Sequence, residues 1–313
     1  MASRDGALRI FQPTIDHGQR TTDNGQRAAR KALMEYLPDS FFWIAIFLFG
    51  LLIGSFLNVV IYRLPREESI IFPNSHCPNC DMAIKFYDNI PVLSYAILSG
   101  RCRGCRVRIS PIYPAVELLV AILYLMVYLK DGRSIALAGD ILFVSLIVPL
   151  VFIDLEHQLL LDSLTYPGLV LMVIMRMLDP EIVIGSLPAG RFGLHNSPEW
   201  VLSLLGSVLG AVAGGGSLWL VREAYFRLRK VEGMGLGDVK MMLMVGAYLG
   251  WQLTVLTIFI ASLLGAIIGI VVMLARGGTM KMKLPFGVFL GPAAVIALFG
   301  GQKFIAWYLA LYR

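Results

Sequence analysis

Charge is scarce in this sequence. Asp, Glu, Lys and Arg make up 15% of its 313 residues, whereas 57% are hydrophobic. That balance excludes an ordinary soluble domain, in which roughly a quarter of residues are charged. Histidine is scarce as well, with four in the chain. His157 follows Glu156 but lacks a second histidine at helical spacing, and no H-E-x-x-H or Ser/His/Asp arrangement competes for a catalytic role. Cysteine is confined to four residues in one loop. The formal net charge of +6 requires no nucleic-acid partner, because loop arginines that orient membrane spans account for it.

Uninterrupted apolar sequence is what the chain has in quantity. Residues 41–62, 201–221 and 252–275 are each long enough to cross a hydrocarbon core of roughly 30 Å. Weaker runs at 112–129, 135–153, 164–178, 239–250 and 284–311 bring the expectation to about eight helices, 239–250 being short for a span. The fold class is therefore an all-α polytopic membrane protein embedded in lipid. The first run lies behind a polar tail with no small-residue cleavage pattern after it, so it reads as a retained helix rather than a signal peptide.

Basic residues sort the loops. Arg63, Arg66, Lys85, Arg101, Arg103, Arg106 and Arg108 fall in 63–111, Arg222, Arg227, Arg229, Lys230 and Lys240 in 222–240, and Arg276, Lys281 and Lys283 in 276–283. The positive-inside rule puts these three loops in the cytoplasm, and an arrangement with both termini on the far side fits, except that the basic residues of the 1–40 tail leave the side of that tail open. The expected division is a disordered polar tail over 1–40 with a short amphipathic helix near 27–37, a first transmembrane helix over 41–63, a cytoplasmic loop domain over 64–111, and a transmembrane domain over 112–313.

All four cysteines lie in the cytoplasmic loop as C-P-N-C (Cys77, Cys80) and C-R-G-C (Cys102, Cys105), with 21 residues between the pairs. Two such knuckles are the pattern of a tetrahedral four-thiolate zinc site of structural type. A loop of this size buries little core, so a metal would supply folding energy that apolar burial does not. Two disulfides or four unligated thiols are the alternatives, disulfides being disfavoured in a reducing compartment. His76 adjoins Cys77 as a solvated neighbour.

Ionisable groups at a membrane span are costly and mark candidate sites. Asp154 ends the run LIVPLVFI, and Asp238 opens the run that leaves the basic 222–237 loop. Both are expected at the cytoplasmic face. Gly235 and Gly237 precede Asp238, where the lack of Cβ permits unusual dihedrals and close approach of a substrate backbone. Two aspartates sharing a proton are the apparatus of aspartic proteolysis, one drawing a proton from water while the other polarises the carbonyl. Singly, Asp238 reads equally as a helix N-cap and Asp154 as an interfacial carboxylate. Asp162 rivals Asp154 for the first position, Glu117 reads as a buried hydrogen-bonding or methylation-associated group, and Asp140 as structural.

In these residues the chain resembles the prepilin peptidases, or type IV leader peptidases, which are intramembrane GxGD aspartic proteases. The resemblance rests on G-S-F-L-N-V-V-I-Y-R-L-P at 54–65, the two C-x-x-C pairs, N-I-P-V-L-S-Y at 89–95, Y-P-A-V-E at 113–117, I-D-L-E-H-Q-L-L-L-D at 153–162, G-M-G-L-G-D-V-K at 233–240 and P-F-G at 285–287. It implies that Asp154 and Asp238 are the catalytic pair. The substrates implied are type IV prepilins and type II secretion pseudopilins, cut at the cytoplasmic face of the bacterial inner membrane. It also implies S-adenosylmethionine-dependent N-methylation of the new amino terminus, associated with the four-cysteine loop and with the positions of Gly100 and Arg101. Arg101 stands where Lys is common in the family, and the two are not interchangeable at a geometric site. Leu161 replaces the proline usual before the second aspartate of the I-D motif, residues 179–199 read as an insertion, and 1–40 have no recognised counterpart. Two other classes compete: a catalytically inactive assembly factor whose zinc loop docks a partner, and a proton-coupled transporter, which predicts an inverted repeat that is not evident.

Overall fold

The structure, a computed structural model, describes residues 38–179, 197–231, 233–275 and 285–311. Residues 1–37 of the expected tail, with its short helix at 27–37, and most of 179–199 lie outside the described residues. The chain divides into two compact units, 1–45 and 46–313; of the first, only the opening of one helix is described.

The apolar runs fold as helices because lipid offers the backbone no hydrogen-bond partner. Helix α1 spans Asp39–Arg63 and α2, a single short turn in the loop that follows, Leu93–Ile97. Then come α3 (Ile112–Asp131), α4 (Ile135–His157) and α5 (Asp162–Leu178). Helix α6 (Glu199–Ala211) continues through a π-turn at Val212–Gly216 into α7 (Ser217–Arg229). Helix α8 (Leu236–Ala275) follows, and α9 (Gly287–Ile296) runs through a second π-turn into α10 (Gln302–Ala310).

Six continuous helices are long and apolar enough to cross a membrane among the described residues. The 40-residue α8 is two of the expected spans joined at Gly250, where φ 76° and ψ 167° reverse the chain in a conformation that favours glycine. Its halves run in opposite directions: Tyr248 in the first half bonds Asp140 near the start of α4, while in the second Leu253 lies near Gly301 and Gly265 near Phe289. Helix α5, with 17 residues, supplies the remaining expected crossing. With alternate crossings, the ends of α1, α4, α7 and the second half of α8, and the starts of α3, α5, α8 and α9, share one membrane side.

The first half of α8 is central, with Met241, Met242, Met244 and Val245 fully buried. Small residues let other helices reach its backbone. A Cβ on Gly210 would stand 2.1 Å from the Gly246 carbonyl oxygen, and one on Gly214 2.4 Å from that of Met242, so these glycines serve close packing. Gly50 and Gly54 of α1 do the same against α3, where an added Cβ would lie 2.6 Å from the Ala121 Cα and 2.7 Å from the Glu117 Cα.

At the opposite membrane side Asp140 is 1% exposed and sits in a polar cluster. Lys130 bonds it at 2.6 Å and the Tyr248 hydroxyl donates to it. Arg176 donates to the Tyr248 carbonyl at 2.7 Å and stacks 3.8 Å from the centroid of its ring. Asp140 is therefore pinned between helices, in keeping with a structural role. Along α4 it lies about 21 Å from Asp154, at the helical rise of 1.5 Å per residue.

Candidate active site

Asp154 falls in the last turn of α4, which ends where Gln158 adopts φ 54° and its amide caps the Asp154 carbonyl at 2.9 Å. Asp238 falls in the first turn of α8. The fold brings these two aspartates together from 84 positions apart in sequence. Both are buried, at 4% and 7% exposure, and the charge of Asp154 acts on Asp238.

The start of α9 completes the arrangement. Amides of Gly287 and Val288 flank the Asp154 carboxyl, and those of Gly287 and Gly235 flank that of Asp238. Gly287 thus faces both aspartates, and its lack of a side chain is a matter of space: a Cβ would stand 2.6 Å from Asp154 Oδ2. That oxygen is buried and completes no hydrogen bond within the chain. Two helix N-termini, of α8 and α9, point their positive ends at the pair and favour negative charge there.

The two glycines before Asp238 differ in what they do. Neither takes a positive φ, so unusual dihedrals are not their purpose. A Cβ on Gly237 would fall 2.6 Å from the Leu160 Cβ, whereas one on Gly235 would meet nothing closer than 3.8 Å. Leu160, from the α4–α5 connection, therefore packs against the start of α8 and, with its Cδ1 3.1 Å from where a Gly287 Cβ would be, against α9. Asp162 does not join the pair. It accepts from Lys240 Nζ at 2.6 and 2.8 Å, fastening the start of α5 to the first turn of α8. Leu161 adopts φ −78°, within the range proline imposes, so the turn keeps its shape without proline.

The four cysteines form the second cluster. Their sulfur atoms all lie within 4.8 Å of one another, and Cys77 and Cys105 are 3.8 Å apart. A tetrahedral ion with metal–sulfur bonds near 2.3 Å spaces its ligands by roughly 3.8 Å, so this set could hold a metal ion. The two knuckles are copies of one turn displaced by 25 residues. The amide of Cys77 bonds the Met82 carbonyl and that of Cys102 the Val107 carbonyl, and Ile84 bonds Ser75 as Ile109 bonds Gly100. Asp81 and Arg106 adopt φ 53° and 59° at equivalent places. The backbone amide of Val107 and the Asn79 side chain hold the Cys105 thiol down at about 6. His76 is exposed, and its ring Nδ1 lies 3.2 Å from the Asn74 carbonyl.

Gly100 closes the second knuckle at φ +65°, and a Cβ there would stand 2.9 Å from the Tyr95 ring. Arg101 is exposed beside it. Between this loop and helices α1 and α3 lies a cavity of about 500 Å³, whose walls include Tyr95 and Glu117 but neither Asp154 nor Asp238. Glu117 is buried there and accepts from the Val92 amide at 2.7 Å.

The contributions of Gly287, Leu160 and Arg176 were not singled out from the sequence. P-F-G at 285–287 was a visible signal for the first. Arg176 had one as well, a lone cation inside the apolar run 164–178, whereas Leu160 had none, since it looks like any loop leucine.

Fold and site together define a polytopic helical membrane protein with two buried aspartates at one end of its bundle and a four-thiol cluster on a loop at the same end. Residues 48–130 match the bacterial Peptidase A24 N-terminal domain and residues 141–270 the type IV leader peptidase family. The chain is 36% identical to a prepilin leader peptidase/N-methyltransferase of Aeromonas salmonicida, over 88% of this chain and 96% of the relative. Proteins of the same description from Pseudomonas aeruginosa (35%, covering 88% and 97%) and Legionella pneumophila (35%, covering 87% and 96%) are similarly related. No solved structure matches the chain. The chain belongs to the type IV leader peptidase family, and it is a multi-pass protein of the cytoplasmic membrane.

Proposed function

We propose that this chain cleaves the leader peptide of type IV prepilins and type II secretion pseudopilins at the cytoplasmic membrane face, and then N-methylates the new amino terminus. The observation that carries the peptidase reading is the meeting of Asp154 and Asp238 around the amide of Gly287. In this reading one carboxylate takes a proton from the attacking water while the other, protonated, gives its proton to the scissile carbonyl oxygen. Water adds to the carbonyl carbon; on collapse the first aspartate passes its proton to the leaving nitrogen, the diol returns one to the second, and the C–N bond breaks to give acid and amine. Gly235 supports it by leaving room beside Asp238 for an extended backbone, and Gly237 by seating Leu160.

Zn²⁺ is the ion the four thiolates suit, since four sulfur ligands close its tetrahedron and leave no position for chemistry. Cys77, Cys80, Cys102 and Cys105 would hold it, fixing the 64–111 domain. S-adenosylmethionine is the methyl donor of choice, because it supplies a methyl group on a sulfonium. Gly100 supports that activity by seating Tyr95, and Arg101 by a charge beside the knuckle.

Purified protein incubated with a prepilin and S-adenosylmethionine should yield a mature product with the mass of the cleaved, methylated chain. Asp154→Asn and Asp238→Asn should each abolish cleavage, by roughly 10³-fold or more, in protein that remains folded. Cleavage by either variant near the original rate would disprove the dyad.

A further inference from the structure

The two helices that carry the aspartates of the proposed dyad are joined again at the opposite membrane side. Helix α4 runs from Asp140 to Asp154, and the first half of α8 runs back from Asp238 to Tyr248. There the Tyr248 hydroxyl donates to Asp140 Oδ1, one helix bonding the other directly. Both side chains are 1% exposed.

The seat of Tyr248 is built on every side. Its ring stacks on that of Phe143, with centroids 4.9 Å apart and planes at 18°, one helical turn along α4 from Asp140. A Cβ on Gly139 would stand 2.5 Å from the Tyr248 oxygen, so the bare backbone of α4 gives the hydroxyl its place. Arg176 covers the ring from α5 and takes the Tyr248 carbonyl. Charge balance does not require the hydroxyl, because Asp140 already has Lys130 at 2.6 Å on its other oxygen and Arg176 Nη2 at 3.8 Å. What the hydroxyl adds is direction: a neutral, oriented bond between α8 and α4.

We propose that Tyr248, through its bond to Asp140, is a positioning residue for leader cleavage: it fixes the axial register of α8 against α4, and with it the separation of Asp238 from Asp154. This role rests on the peptidase reading above and adds how the pair is held. Lipid gives helices little apolar drive to associate, so register depends on packing and on bonds between them. At the dyad end the two carboxyls repel each other whenever both are charged. A helix carries axial slip from one end to the other, because its backbone hydrogen bonds hold the rise per residue constant. Tyr248 therefore acts on Asp238 from about 15 Å away, and Asp140 on Asp154 from about 21 Å. The contact of Gly246 with Gly210 ties α8 to α6, which carries neither aspartate.

The test is prepilin cleavage by full-length, detergent-solubilised Tyr248→Phe, which keeps the ring, both stacking partners and the carbonyl and removes only the hydroxyl. Its kcat should fall by about tenfold, the cost of a sub-ångström misplacement of a catalytic group, with KM unchanged. Ser203→Ala is the control for a merely structural loss. Its hydroxyl donates to the Arg176 carbonyl at 2.6 Å in the same buried cluster but links α6 to α5, so its kcat should stay within about twofold of wild type. A second measurement needs no activity: electron–electron resonance between nitroxide amino acids at positions 155 and 236, both exposed at the dyad ends of the two helices. Their distance distribution should be narrow with Tyr248 and become broader and longer in Tyr248→Phe. Wild-type kcat in Tyr248→Phe, an equal loss in Ser203→Ala, or an unchanged distance distribution overturns the positioning role and leaves the peptidase reading standing. Asp154→Asn or Asp238→Asn that still cleaves overturns the peptidase reading and this role with it.

Discussion

Gly287→Ala is the smallest change that should disable the proposed dyad without touching either aspartate. The backbone at 287 is not in the left-handed region, so alanine meets no conformational penalty and the effect is one of space alone. The added Cβ would stand 2.6 Å from Asp154 Oδ2, 3.2 Å from its Cγ and 3.1 Å from the Leu160 Cδ1, where ordinary contact begins at 3.4 Å. Leu160 blocks one side, so the carboxylate must retreat, by about 0.8 Å. A displacement near 1 Å of a positioned catalytic group costs on the order of 10²-fold in rate, or ~2.7 kcal/mol of transition-state stabilisation. The loss should appear in kcat with KM little changed, because the substrate's remote contacts are untouched. The assay is cleavage of a prepilin by purified enzyme, with binding of S-adenosylmethionine as the control that the rest of the molecule is intact. A variant that cleaves within threefold of wild type while retaining donor binding would refute the reasoning. Asp154 would then not depend on the space that Gly287 leaves.

Two further outcomes are expected. Cys105→Ser should lower bound metal from one ion per chain toward none and expose residues 75–109 to limited proteolysis, since a three-thiolate set no longer closes the tetrahedron and the loop loses its cross-link; metal analysis by mass spectrometry and timed digestion check this, and full metal retention would contradict it. Gly246→Val places a branched side chain where even a Cβ would lie 2.1 Å from the Gly210 carbonyl oxygen, so overpacking should cost about 1–3 kcal/mol or more, read as a lower thermal unfolding midpoint in detergent.

Much of the organisation was legible because lipid makes the rules strict. Long uncharged runs had to be helices, and charges at their ends had to have a reason. The expected short run at 239–250 is the first half of α8, and Gly250 is where the chain reverses. Arg176 shows where such reading stops. Inside an apolar stretch it looks like a misfit, and only packing reveals that Tyr248 supplies both a carbonyl and a ring for it. The G-L-G-D glycines show a second limit. Their presence pointed to close approach, but not to what approaches: a leucine at Gly237, and open space at Gly235.

By itself, the sequence determined the membrane class, the loops that carry basic charge, the paired C-x-x-C knuckles and the two aspartates, because each is a local pattern with its own energetic cost. Only the tertiary structure decided that residues from the end of α4, the start of α8 and the start of α9 converge, that Asp162 pairs with Lys240 rather than with Asp238, and that a cavity lies between the cysteine loop and helices α1 and α3. Convergence of this kind depends on helix crossings set by where glycines allow backbones to touch, and no pattern along one chain encodes the distance between two such helices.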